Sequence, residues 1–156
     1  MWESPGWLEN VGGEASEEAM MGPEISGRIL IIDDDPHFLR VWSRILSGAN
    51  FQVDTASGVN EALRILRDQP IDLVISDMRM PDTDGLSFVQ EIRRVGNNLP
   101  VVILTAYGEV DTYLQAMNLG ATEFLNKPIK SDELLRVVRT CLRASSFRSS
   151  AGPGPS

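Results

Sequence analysis

Apolar and polar positions along the chain fall into two alternating rhythms. Short apolar runs stand at Arg28–Ile32, Phe51–Asp54, Asp72–Ser76, Val101–Leu104 and Glu123–Asn126, with the length of β-strands. A stretch with helical spacing follows each run. In the first, Leu39, Trp42, Ile45 and Leu46 recur at three- and four-residue intervals, and Val59, Ala62, Leu63 and Leu66 do so in the second. Asp35 ahead of Pro36, Asp84 ahead of Gly85, and Ser131 ahead of Asp132 and Glu133 are placed as N-caps. The two carboxylates after Ser131 favour the positive end of a helix. Five βα units are predicted.

The first, third and fourth runs are nearly unbroken in branched aliphatic residues, as central strands of a parallel sheet covered on both faces should be. The second and fifth are more mixed, as edge strands often are. Right-handed crossovers make a doubly wound (βα)5 α/β fold the simplest architecture, with a parallel five-stranded sheet in the flavodoxin-like order 2-1-3-4-5. The domain is expected over residues 28–143. Residues 1–27 and 144–156 mix Gly, Pro, Ser and Glu or Arg without a sustained period. They read as a disordered acidic N-terminal tail and a flexible, linker-like C-terminal tail.

Composition narrows the class. With 156 residues, 42% hydrophobic and 23% charged, the chain suits one soluble globular domain. No run approaches the roughly 18 apolar residues of a membrane span. The net charge of -8 is uneven: the six glutamates of residues 1–27 stand without a Lys or Arg, so the central region is close to balanced. No basic patch is visible, which argues against direct nucleic-acid binding by this chain. Cys141 is the single cysteine, so neither an intramolecular disulfide nor a cysteine zinc site is expected. The N-terminus lacks the basic start and apolar stretch of a signal peptide, and a cytoplasmic location is expected. After Leu142 nothing resembles a DNA-binding helix pair or an ATPase, so the chain reads as a stand-alone module or a piece of a larger regulator.

Ligands of doubly wound sheets sit at the carboxyl ends of the strands. There the sequence sets Asp33, Asp34 and Asp35 after the first strand, Asp77 after the third, Thr105 after the fourth, and Lys127 with Pro128 after the fifth. Carboxylates crowded on one rim repel one another and must either take up protons or bind a cation. Magnesium (Mg2+) suits such a set, since it prefers oxygen ligands and commonly uses one or two carboxylates beside a phosphate oxygen. Kept ionised, Asp77 is an oxygen nucleophile able to form an acyl phosphate. Lys127 brings positive charge to the phosphoryl oxygens and Thr105 a hydrogen bond.

Four blocks, Ile31-Ile32-Asp33-Asp34-Asp35, Ser76-Asp77-Met78-Arg79-Met80-Pro81-Asp82-Thr83-Asp84-Gly85, Leu104-Thr105-Ala106 and Asn126-Lys127-Pro128, together resemble the signature of response-regulator receiver domains from two-component signalling. The resemblance covers about residues 28–143. It implies that Asp77 is the phosphoacceptor, and that Asp33, Asp34 and Asp77 hold Mg2+ (or Mn2+), with Asp34 the direct ligand of the acidic pair and the main-chain carbonyl of Arg79 a further one. Thr105, Ala106 and Lys127 would contact the phosphoryl group, Thr105 and Phe124 would form the switch pair, and the bond before Pro128 would be cis. Arg79 and Tyr107 would set the hydrolysis rate, and their bulk predicts slow loss of the phosphoryl group. The implied donor is a sensor histidine kinase or a phosphotransfer protein. The surface of the fourth helix, fifth strand and fifth helix would be read by a partner or by a second copy of the chain. Thr105-Ala106-Tyr107-Gly108 and Ala116–Ala121 are similar to receivers of nitrogen-regulation-type transcriptional activators.

Two rival readings attach to the same residues. Asp33-Asp34-Asp35 superficially fits the opening of an aspartate-nucleophile phosphatase of the haloacid dehalogenase type, but Asp77 then lacks a role. A non-phosphorylated binding module on the same fold, including a flavin site, is the other. His37, the single histidine, reads as an exposed helix-start residue, and Asp82 and Asp84 read as loop and cap residues.

Overall fold

The structure, a computed structural model, describes residues 26–78, 85–94, 98–106, 115–118 and 120–151, with side chains to residue 145. Five parallel strands, β1 (Arg28–Ile32), β2 (Gln52–Ala56), β3 (Leu73–Asp77), β4 (Val101–Thr105) and β5 (Glu123–Asn126), form one sheet in the order β2-β1-β3-β4-β5. Helices α1 (Pro36–Gly48), α2 (Val59–Asp68), α3 (Gly85–Arg94) and α5 (Ser131–Ala151) follow β1, β2, β3 and β5, and residues 115–118, labelled α4, are helical between β4 and β5. This is the doubly wound, flavodoxin-like topology that the aliphatic runs predict.

Burial explains the composition of the strands. All residues of β4 are buried, as are Ile29–Ile32 of β1 and Leu73–Ser76 of β3, whereas the edge strands β2 and β5 hold only partly buried and exposed residues apart from the buried Ala56. Successive side chains of a strand point to opposite faces. Ile29 and Ile31 therefore join α1 and α5 residues such as Trp42, Leu46, Leu134 and Val138 in one hydrophobic layer. Leu30 and Ile32 join Ala62, Val89 and Ile92 of α2 and α3 in the other. Cys141 lies in the first layer, where burial and, to a lesser degree, nearby Glu123 push its thiol up to about 11, so it stays a protonated packing residue at neutral pH.

Boundaries depart from the sequence reading in physically clear ways. β2 is displaced toward Ala56, while β3 and β4 include Asp77 and Thr105, because the parallel ladder pairs Asp77 with Leu104 and Thr105 with Asn126. Asp35 is the N-cap of α1, accepting from the His37 N–H at 3.0 Å. Ser131, expected as a cap, is the first helical residue of α5: the carbonyl of Lys130 already accepts from the Leu134 N–H, and Asp132 and Glu133 lie in the first turn. The same helix continues to Ala151, past the expected boundary at 143, since neither Gly nor Pro interrupts the chain before Gly152. The expected cap Asp84 and the N-terminal segment 1–25 lie outside the described residues. Among the described residues no helix is long and apolar enough to cross a membrane.

One tie joins α3 to the segment just ahead of β5. The Arg93 guanidinium of α3 donates twice to the Gly120 carbonyl, at 2.8 and 3.2 Å, just ahead of β5. Gly120 has a φ of 109°, and a Cβ there would meet Arg93 Nε at 2.9 Å, so the tie needs glycine.

Candidate functional site

The carboxyl ends of β1, β3 and β5 bring the predicted charges together. Asp33, Asp34 and Asp77 each offer a carboxylate oxygen within 4.8 Å of the others. Lys127 Nζ bridges two of them, at 3.0 Å from Asp33 Oδ2 and 3.2 Å from Asp77 Oδ1. Asp33 is the most enclosed, with 2% of its side chain exposed against 13% for Asp77. Asp34 is exposed.

Each partner is held from behind. The Asp35 N–H donates to Asp33 Oδ1 at 2.9 Å, and the Asp33 N–H donates to the Ala56 carbonyl of the neighbouring strand. Asp77 Oδ1 accepts from the Met78 N–H at 2.9 Å, so among the described residues its side-chain contacts fall on one oxygen. The Ser76 hydroxyl donates to the Asp77 carbonyl at 3.0 Å, and the Met78 N–H also reaches the Leu104 carbonyl. Lys127 follows β5 directly, its N–H donating to the Thr105 carbonyl, and the Lys127–Pro128 peptide is cis.

Electrostatics follow from this enclosure. Burial raises the Asp33 pKa, and the adjacent Asp77 charge adds to the rise, while the Asp35 N–H and Lys127 pull the other way. Burial works against the Lys127 ammonium, but its hydrogen bonds and charge contacts to Asp33 and Asp77 outweigh it and leave its pKa raised. Three converging carboxylates with one ammonium still carry surplus negative charge. This all-oxygen donor set is what a hard divalent cation requires, and Asp33, Asp34 and Asp77 are the residues that would hold it.

Thr105 ends β4, 3% exposed, and Ala106 follows it, exposed. Phe124, mid-strand in β5, is partly buried against the layer formed by α2 and α3. Arg79, Asp82 and Tyr107 lie outside the described residues. One contact escaped the sequence reading: Lys127 Nζ stands 4.3 Å from the centroid of the Phe38 ring. Phe38 shares the α1 face of Trp42, four residues on, a spacing that marks it as apolar but gives no sign of Lys127.

Close packing fixes the backbone at the end of β3. A Cβ at Gly85, the first residue of α3, would stand 2.8 Å from the Asp77 carbonyl oxygen and 3.2 Å from Met78 Cα. Gly85→Ala is therefore expected to lose about 1–2 kcal/mol of stability by overpacking, despite alanine's better helix propensity. Chemical denaturation checks this; an unchanged or higher midpoint would contradict it.

A five-stranded parallel α/β protein with an acidic cluster and a bridging lysine at its strand ends belongs to the class of doubly wound folds whose ligands sit at that edge. Comparison with known proteins narrows it. The model of the response regulator receiver domain family matches residues 29–139. The transcriptional regulatory protein GlrR of Escherichia coli (strain K12) is 38% identical over 117 residues, 75% of this chain and 26% of GlrR. A response regulator receiver domain protein from Clostridium thermocellum superposes with a TM-score of 0.73 at 33% identity, over 78% of this chain and 98% of that one. The beryllofluoride-activated NtrC4 receiver domain dimer gives 0.71 at 30% identity, over 75% and 97%. The chain belongs to the response regulator receiver domain family. It is similar to the receivers of NtrC-type transcriptional regulators and spans about a quarter of the length of the curated relatives it matches. Receiver domains of this family act as signalling switches in two-component systems, bind Mg2+ at an acidic pocket, and interact with histidine kinases or phosphotransfer proteins.

Proposed function

We propose that this receiver accepts a phosphoryl group on Asp77 from a phosphohistidine of a sensor kinase or phosphotransfer protein. The observation that carries the reading is the bridge from Lys127 to Asp33 and Asp77 beside the clustered oxygens of Asp33, Asp34 and Asp77. An Asp77 carboxylate oxygen attacks phosphorus, an acyl-phosphate P–O bond forms, and the P–N bond to the donor imidazole breaks, the ring keeping the electron pair and then a proton. Asp77 Oδ2 is the oxygen left for attack, since the described contacts fall on Oδ1. Lys127 moves from Asp77 toward the new phosphoryl oxygens, and Thr105 and the Ala106 backbone add hydrogen bonds to them.

Mg2+ or Mn2+ held by Asp33, Asp34, Asp77 and the Arg79 carbonyl would supply positive charge to the carboxylates and the transferring phosphoryl group. Inward movement of Thr105 makes room for Phe124 to turn, which reshapes the surface of α4, β5 and α5. A downstream partner or a second copy of the chain reads that surface. The beryllofluoride-activated dimer of the similar NtrC4 receiver supports the second. Arg79 and Tyr107 shield the acyl phosphate from water and slow its hydrolysis.

Asp33 is a poor rival nucleophile, because the Asp35 N–H occupies one of its oxygens and Lys127 the other. Incubation with acetyl phosphate and Mg2+, followed by peptide mapping, is the test. One phosphoryl group on the Asp77 peptide, absent when EDTA is added, is expected. Phosphate on Asp33 would favour the phosphatase, and no incorporation would favour the non-phosphorylated binding module.

A further inference from the structure

We infer that Phe38 is a positioning residue for Lys127, its ring holding the ammonium at the height where it faces both Asp33 and Asp77. The inference deepens the phosphoacceptor reading above and rests on it.

The ammonium has contacts in three directions: Asp33 Oδ2 at 3.0 Å, Asp77 Oδ1 at 3.2 Å, and the Phe38 ring centroid at 4.3 Å. That last distance lies well inside the range over which an aromatic face attracts a cation. The ring itself is fixed. It packs against Trp42 with centroids 6.0 Å apart and planes tilted by 45°, and Trp42 is buried in the layer between α1, α5 and the sheet. The start of α1 is pinned to the rim as well, since Asp35 caps the helix while its N–H donates to Asp33 Oδ1. Phe38 and Asp33 thus belong to one short segment, 33–38, and both meet the Lys127 ammonium.

This geometry matters for transfer because the two carboxylate contacts are directional and one must be given up. When Asp77 forms the acyl phosphate, its bond to Lys127 is replaced by one to a phosphoryl oxygen. The ring contact has no such directionality: a π face attracts the ammonium throughout a short lateral movement. An aliphatic side chain of similar bulk would fill the space, keep the packing against Trp42, and offer the ammonium nothing in return for lost water. Packing alone would be served equally well by Leu, which is the distinction to test.

The experiment compares wild type, Phe38→Tyr and Phe38→Leu. The first readout is the NMR position of the Lys127 ε-methylene protons, expected upfield through the ring current in wild type and Phe38→Tyr and at ordinary values in Phe38→Leu. The second is the rate of phosphorylation by acetyl phosphate at saturating Mg2+. Phe38→Tyr is expected to keep the wild-type rate, and Phe38→Leu to be slower by about three- to tenfold, the range corresponding to one partly desolvated cation–π contact. Should the leucine variant fail to fold, Phe38→Met takes its place with the same expectation. Equal rates for leucine and wild type, a slow Phe38→Tyr, or unshifted Lys127 protons in wild type would each overturn the inference. A wild-type protein that shows the ring shift but takes up no phosphate would instead overturn the phosphoacceptor reading and leave the placement of Lys127 standing.

Discussion

Replacing Asp77 by Asn is expected to reduce phosphate incorporation from acetyl phosphate to background while the fold persists. The amide is nearly isosteric, and its oxygen still accepts from the Met78 N–H, so the backbone at the end of β3 keeps its support. What disappears is the anionic oxygen nucleophile and one of the three carboxylates of the cluster. Mg2+ affinity should fall with it. Intact mass after incubation with acetyl phosphate and Mg2+, read beside circular dichroism, checks both parts. Incorporation persisting at the wild-type level would shift the acceptor to another carboxylate.

Lys127→Ala is expected to give the largest loss of stability of any rim substitution. It strips the cation from Asp33, whose side chain is 2% exposed and cannot turn to water. Removing one partner of a fully buried pair costs about 3–5 kcal/mol; because Lys127 keeps 23% of its side chain exposed, about 2 kcal/mol is the better figure here. Added Mg2+ should recover much of the deficit, since a divalent cation at the same oxygens supplies the missing charge. Urea denaturation with and without Mg2+ measures this. A gap between variant and wild type that is equally wide in both conditions would show that the ammonium and the metal do not serve the same carboxylates.

The sequence made the central sheet legible because both of its faces are covered. Ile29–Ile32, Leu73–Ile75 and Val101–Leu104 had to be unbroken in aliphatic residues, and that is a local signal. The rim residues were legible for a related reason: in a parallel sheet every strand ends on the same side, so the polar residue closing each apolar run lands beside its counterparts. Strand limits were less accessible. Asp77 and Thr105 belong to the ladder through pairing with Leu104 and Asn126, and no periodicity within a single strand reports a neighbour's register. The extension of α5 was hidden by a composition of Ala and Ser that suits a linker and tolerates a helix equally well. Phe38 was harder still. Its own helix marks it as apolar, but only the return of the chain at the end of β5 sets Lys127 over it.

The partition of the interior has a consequence for how such a chain tolerates change. Because β1 sends Ile29 and Ile31 to one side and Leu30 and Ile32 to the other, the sheet separates two compartments that share backbone but few side-chain contacts. Losses of volume beneath α2 and α3 should therefore add simply to losses beneath α1 and α5. A change beneath one pair of helices should leave the packing beneath the other pair, and the four charged groups at the strand ends, in place.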